Sequence, residues 1–152
     1  MRISIRPASD SDIAFCEALS RNNMAHYHAA RGVAWDRERF EATWSDFENH
    51  MLLANDEMVG VLRLLANNDA LDIRDLQVLP AWQDQGIGSW AIDWTRAETV
   101  RRGFRRVGLR VFADNPALRL YERLGFKAAS MDDDGKVHMT SLAAPGLTQE
   151  AR

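Results

Sequence analysis

Residues Gln83-Asp84-Gln85-Gly86-Ile87-Gly88-Ser89 follow a strand-like run, Leu76-Gln77-Val78, and open a helix-like one. A strand that turns through glycines into a helix gathers backbone N–H groups at a helix N-terminus, where the macrodipole also favours negative charge. Glycines carry no Cβ, so positions 86 and 88 let a polyanion approach the backbone closely, although they also ease a tight turn. The geometry suits the phosphates of a nucleotide-like ligand. It is not a P-loop, because no Lys-Ser/Thr pair follows the second glycine. Nor is it the dinucleotide fingerprint, since position 91 is alanine where a third glycine would fall.

Other reactive side chains are sparse. In a regular strand Asp72, Arg74, Leu76 and Val78 share one face and Asp75 points the other way. An Asp72–Arg74 ion pair on a solvated face is as compatible with that spacing as a catalytic carboxylate. His26 and His28 are two apart and would leave a helix on nearly opposite sides. With Cys16 isolated, no metal site is expected. No G-x-S-x-G elbow offers a serine nucleophile, and Cys16 lies in a helical pattern that suits burial.

The elements that must position these residues read as a single α/β domain. Arg2–Arg6 alternates as a half-buried strand, and Ser9 is a plausible N-cap for a helix carrying Ile13, Cys16 and Leu19 inward. Residues 24–34 are less regular, with a break at Gly32, and Phe40, Trp44 and Phe47 recur at helical spacing over about 36–49. Strands follow at Met51–Ala54, Met58–Leu65 and Ala70–Val78, with turns at Asn55–Glu57 and Asn67–Asp69. The next helix carries Ile87, Trp90, Ala91, Trp94, Ala97 and Val100 as its apolar stripe and stops at Gly103. Val107, Leu109 and Val111 form a strand, about Pro116–Leu124 a short helix, and 126–131 with 136–142 a terminal hairpin. That order implies a mixed sheet, antiparallel early and parallel around the central helix.

The chain's 152 residues, 46% hydrophobic and 27% charged, suit one soluble domain. The net charge of −3 gives no reason to expect nucleic acid. Arg101, Arg102, Arg105 and Arg106 do cluster, either as a solvated helix end or as an attractor for an anionic ligand. No apolar run is long enough for a membrane span, and no secretory signal opens the chain. The single cysteine excludes an internal disulfide, so a cytoplasmic setting is expected. Residues 144–152 read as a flexible tail after a domain spanning 1–143.

Gln83-x-x-Gly86-x-Gly88 resembles the Q/R-x-x-G-x-G/A motif of the GNAT superfamily, the acetyl-CoA-dependent N-acetyltransferases. Leu76-x-Val78-x-Pro80 is similar to the strand ending that precedes it there. Asn115-Pro-Ala-Leu-Arg-Leu-Tyr121-Glu-Arg-Leu-Gly-Phe126 looks like the family's second signature. The likeness spans nearly the whole chain and implies a GNAT-like mixed sheet of about seven strands with about four helices.

The resemblance implies roles for particular residues. N–H groups from Gln83, Asp84, Gln85, Gly86, Ile87, Gly88 and Ser89 would bind the pyrophosphate of acetyl-CoA. The strand at 72–78 would splay and pair with pantetheine as an added edge. An N–H of Leu76, Gln77 or Val78 would stabilise the oxyanion of the thioester carbonyl. Tyr121 would hydrogen-bond the departing sulfur or protonate it, since a phenol with pKa about 10 stays neutral until needed. Asp72 stands where some protein-acetylating relatives place a carboxylate base, although many relatives use only a water chain.

Two departures from the family pattern matter. Arg110 occupies a position where some relatives carry glutamate. The family asparagine falls at Asp114 here, one residue early, so Asn115 is favoured for the cofactor contact because a carboxylate would repel a polyanion. The segment between the first two helices shapes the acceptor pocket in the family, and offers Tyr27, Trp35 and Asp36 here. Those three read equally well as packing at a helix corner. The implied activity is acetyl transfer to a primary amine by direct attack in a ternary complex. The alternatives are a silent CoA-binding module of the same fold and a transferase using another acyl-CoA. Homodimers are common in the family, so a second copy is a candidate partner.

Overall fold

The computed structural model describes residues 1–144, so the expected tail lies outside the described residues apart from Ala144. β1, Ile3–Pro7, runs antiparallel to β2, Glu48–Ala54, with Ile3 opposite Ala54. β3, Glu57–Asn67, returns antiparallel to β2 through a two-residue turn in which Asn55 (φ 51°) and Asp56 (φ 67°) are both left-handed. That turn needs positive φ at both positions, which Asn and Asp tolerate better than other side chains. β4 spans Ala70–Val78. It pairs in parallel with β5, Arg106–Phe112, from Ala70↔Arg106 to Ile73↔Leu109, and the crossover carries helix α3, Ile87–Arg101.

Numbering the remaining elements in chain order, α1 is Ile13–Ala30, α2 Arg37–Thr43, α4 Ala117–Arg123, β6 Lys127–Met131 and β7 Lys136–Leu142. The strand order is β1-β2-β3-β4-β5-β7-β6; the pairs β1–β2, β2–β3, β5–β7 and β6–β7 are antiparallel and β4–β5 is parallel. The sheet is therefore mixed, as the element order implies. Contacts group the chain into two compact units: Met1–Leu65 with Arg74–Ala91, and Ala66–Ile73 with Ile92 onward.

In the first unit, Cys16, Leu19, Phe40, Trp44, Met51 and Val61 form a buried cluster. Burial pushes the Cys16 thiol up to about 12, which leaves it protonated and inert at neutral pH. α1 is longer than its sequence suggests, continuing through the irregular stretch to Ala30 before Gly32 (φ 66°). Ser9 caps a 3-10 turn, Asp10–Asp12, rather than α1 itself. The second helix is shorter than expected. It ends at Thr43, a 3-10 turn covers Trp44–Asp46, and Glu48–His50 join the β2 ladder instead. Asn49 drives that exit: its Nδ2 caps the carbonyls of Trp44 (2.6 Å) and Phe47 (3.2 Å).

Arg63, on β3 and only 3% exposed, then gathers the aromatic rings. Its guanidinium lies 4.3 Å from the Phe40 centroid and 4.7 Å from that of Phe47, and its Nε donates to Asn49 Oδ1 at 2.8 Å.

Helix α3 does not bury the expected stripe throughout. Ile87 and Ala91 are buried as expected, but Ile92, Thr95 and Thr99 share that face, and Val100 is 50% exposed. Thr99 can face inward because its hydroxyl bonds back to the Thr95 carbonyl at 2.6 Å. At the helix end Glu98 receives the guanidinium of Arg101 and, at 3.0 Å, Nε of Arg102. Arg106 pairs with Asp69 at 3.2 Å. Three of the four clustered arginines therefore have carboxylate partners.

The Arg101 and Arg102 bonds hold the Glu98 carboxyl at about 2, below its ordinary 4.5. Its stabilising contribution is full above pH 4.5 and lost as pH falls through about 2. Much of it is screened by solvent, which leaves about 1 kcal/mol at neutral pH. Urea unfolding should show Glu98→Gln less stable by about that amount at pH 7, with the gap closing as the pH approaches 2.

Candidate active site

The glycine turn follows β4 in the first unit. Leu79 N–H donates to the Val59 carbonyl at 2.8 Å, and Pro80–Trp82 make one 3-10 turn. Asp84 (φ 62°) and Gly86 (φ 85°) are left-handed, and α3 begins at Ile87. The first turn of α3 carries no acidic residue, so its own side chains do not offset the dipole there. The N–H groups of Ile87, Gly88 and Ser89 fall in that turn, where no intrahelical acceptor exists. A Cβ built on Gly86 or Gly88 meets nothing within 4 Å. Gly86 still needs to be glycine for its φ. Gly88 has neither a left-handed backbone nor a neighbour to avoid, so only open space accounts for it. The chemistry of this turn fits a diphosphate.

Side chains tie the turn to β4. Gln83 Nε2 donates to the Val78 carbonyl at 3.0 Å, and Gln85 Nε2 donates to the Ala81 carbonyl at 3.2 Å. Leu76, Gln77 and Val78 are half-buried. Arg74 reaches over the Phe47 ring (5.2 Å), yet its neighbour Asp75 accepts from Ser20 Oγ of α1 at 2.6 Å. Asp75 also accepts from Gln77 Nε2 at 2.9 Å. Asn23 on α1 donates to Gln77 Oε1 (3.2 Å) and to the Val78 carbonyl (3.0 Å). Sequence reasoning missed this network, although its signal is present. Ser20 and Asn23 lie at i,i+3 beside the buried Cys16 and Leu19, and Asp75 and Gln77 at i,i+2.

The acceptor-side candidates are engaged in packing. Trp35 donates its indole N–H to Glu17 Oε2 at 2.6 Å and lies beside Phe40 (5.8 Å) and His28 (6.0 Å). Glu17, itself buried, also takes Arg21 at 2.9 Å. Asp36 N-caps α2 by accepting from Arg39 N–H at 3.0 Å. Tyr27 is buried against His26, with ring centroids 3.8 Å apart.

The second unit holds Asp72, Asn115 and Tyr121. Asp72 accepts from Asn67 Nδ2 at 3.2 Å, while Arg74 lies over Phe47. Across the β4–β5 ladder Asp72 opposes Gly108, and a Cβ there would run into Asp72 Oδ1. Glycine at 108 leaves room for that carboxylate where it stands. Asn115 Oδ1 accepts from Ala117 N–H at 2.9 Å and so starts α4. Tyr121 stands on α4 with its ring edge-on to Phe126, 6.1 Å between centroids, while its carbonyl takes Phe126 N–H at 3.0 Å. Among the described residues no cluster of three His, Cys, Asp or Glu side chains is arranged for a metal, and no helix is long and apolar enough to cross a membrane.

The mixed seven-stranded sheet, with its parallel crossover into a glycine-led helix, has the architecture of the GNAT fold. The model of the Acetyltransferase (GNAT) family matches residues 16–126, and the chain belongs to that family. No curated protein matches the sequence. Among solved structures, the chain is similar to a PaiA N-acetyltransferase from Thermoplasma acidophilum in complex with coenzyme A. Identity there is 18%, coverage 93% of this chain and 99% of that one, and the TM-score 0.74. The ribosomal-protein-S18-alanine N-acetyltransferase from Escherichia coli is 21% identical, with 97% and 99% covered and a TM-score of 0.73. A chimeric spermidine N-acetyltransferase from Vibrio cholerae and hSSAT is 16% identical, with 94% and 96% covered and a TM-score of 0.70.

Proposed function

We propose that residues 1–143 act as one N-acetyltransferase domain, moving an acetyl group from acetyl-CoA to a primary amine by direct attack in a ternary complex. The observation that carries this reading is Gly88, a glycine in a helical first turn whose missing side chain leaves open space at an undefended helix N-terminus. The N–H groups of Asp84 to Ser89 bind the diphosphate, that of Gln83 being held by the Pro80 carbonyl. β4 pairs with β5 from Ala70 to Ile73, and the strand runs on to Val78. Backbone groups of Leu76, Gln77 and Val78 take the pantetheine arm and the thioester oxygen. Asn115 makes the remaining cofactor contact.

Chemically, the amine nitrogen bonds the thioester carbon and the C–S bond breaks. The nitrogen releases a proton, for which Asp72 is the candidate acceptor, and the CoA thiolate gains one from Tyr121. The setting is cytoplasmic, consistent with a single, protonated, buried thiol. The acceptor classes to test include those named for the similar structures, a protein N-terminal alanine and spermidine.

Calorimetry with CoA and acetyl-CoA, followed by a thiol-release assay over peptides, polyamines, amino acids and amino sugars, tests the reading. Binding with release on one amine class supports it. No heat with folded protein ends it, and binding with no release on any amine points to a silent CoA module.

A further inference from the structure

We infer that Asn23 is a positioning residue for the β4 end, acting jointly with Gln83 on one carbonyl; this rests on the reading above, which gives that strand end to the thioester arm. Val78 is the last residue of β4, and its carbonyl oxygen has two lone pairs. One takes Asn23 Nδ2 at 3.0 Å, from α1, and the other takes Gln83 Nε2 at 3.0 Å, from the glycine turn. Just beyond, Leu79 N–H is committed to Val59 and Pro80 has no N–H to offer. Two side-chain amides therefore fix the Val78 carbonyl.

The Asn23 amide is held in turn. It also faces Gln77 Oε1 at 3.2 Å, Gln77 Nε2 donates to Asp75, and Asp75 takes Ser20 Oγ at 2.6 Å. Residues 75, 77 and 78 are thus set by one face of α1 before any ligand arrives. Gln83 acts here through its side chain, while its own N–H is held by the Pro80 carbonyl at 3.3 Å. A strand end fixed in advance loses less freedom when a ligand pairs with it, so the brace acts on cofactor affinity.

Because both amides grip one oxygen, losing either leaves the carbonyl satisfied, while losing both leaves it unpaired. Asn23→Ala and Gln83→Ala should each weaken CoA binding only about twofold to threefold, and the double variant about thirtyfold or more, beyond the product of the singles. Amide hydrogen exchange over residues 76–83 of the free protein should show the same synergy without any ligand. In turnover, KM for acetyl-CoA should rise in the singles while kcat holds, a split that general loosening of the fold does not produce.

Exchange effects that merely multiply, or no change in the double variant, overturn the inference. Synergy in exchange combined with no CoA heat from the wild type leaves the brace standing and removes the proposed function.

Discussion

Gly88→Leu should bind CoA about 100-fold more weakly than the parent while folding at least as stably. The two signs come from separate physics. A Cβ at this position meets nothing within 4 Å, and the backbone is not left-handed, so the protein itself does not object to a side chain. Leucine is also a better helix former than glycine, by about 0.5–1 kcal/mol. A diphosphate bound to the first-turn N–H groups would lie in the space the new side chain fills. Losing one or two charge-assisted hydrogen bonds costs about 1.5–3 kcal/mol each, which sets the size of the loss.

The family motif admits alanine here, so Gly88→Ala should give only a small loss, and affinity should fall with side-chain size. Gly86→Ala makes the contrast. Its φ of 85° penalises any L side chain, so stability should drop by about 1 kcal/mol. Calorimetry and urea unfolding on the three variants separate the two roles. Equal CoA affinity across the Gly88 series would falsify the diphosphate assignment.

What the sequence made legible was whatever depends on local chemistry. β4, α3, β7 and the turns at 55–56 and 135 follow from alternation, glycine and left-handed Asn or Asp. The glycine turn and the second signature were readable for the same reason, being short segments with fixed spacing. Elements decided by distant partners were harder to read. Phe40, Trp44 and Phe47 share a face and so mimic a helix to residue 49, but Arg63 from β3 collects those rings and Asn49 ends the helix early. The buried face of α3 was misplaced because Thr99 satisfies its hydroxyl on its own helix, which no polarity scale registers.

Asp75 shows the same limit nearer the site. Its spacing shows the face it leaves by, but not that Ser20 from the distant α1 and Gln77 already engage it. Trp35 and Asp36 read equally as acceptor contacts or as packing at a helix corner, because their partners lie at a distance or in the backbone. Glu17 takes the indole and Arg39 N–H takes the carboxylate. The acceptor side is thus the least legible part, since its shape is set by which polar groups are already engaged.

Tyr121→Phe should lower kcat about 100-fold and leave CoA affinity within about threefold, because general acid catalysis supplies gains of that order. The substitution suits the question because the ring already has a packing role, edge-on to Phe126 at 6.1 Å. Phenylalanine keeps that contact and the hydrogen bond from Phe126 N–H to the residue 121 carbonyl. A loss of turnover therefore reports on the hydroxyl, and a matching melting temperature shows that α4 is undisturbed. The nature of the loss can be narrowed further. A thioester whose thiol is more acidic leaves as a thiolate without help, so the gap between parent and variant should shrink with such a donor. A gap that stays the same across donors would place the hydroxyl in binding or orientation, and unchanged turnover with CoA thioesters would remove Tyr121 from the reaction and leave the thiolate to solvent.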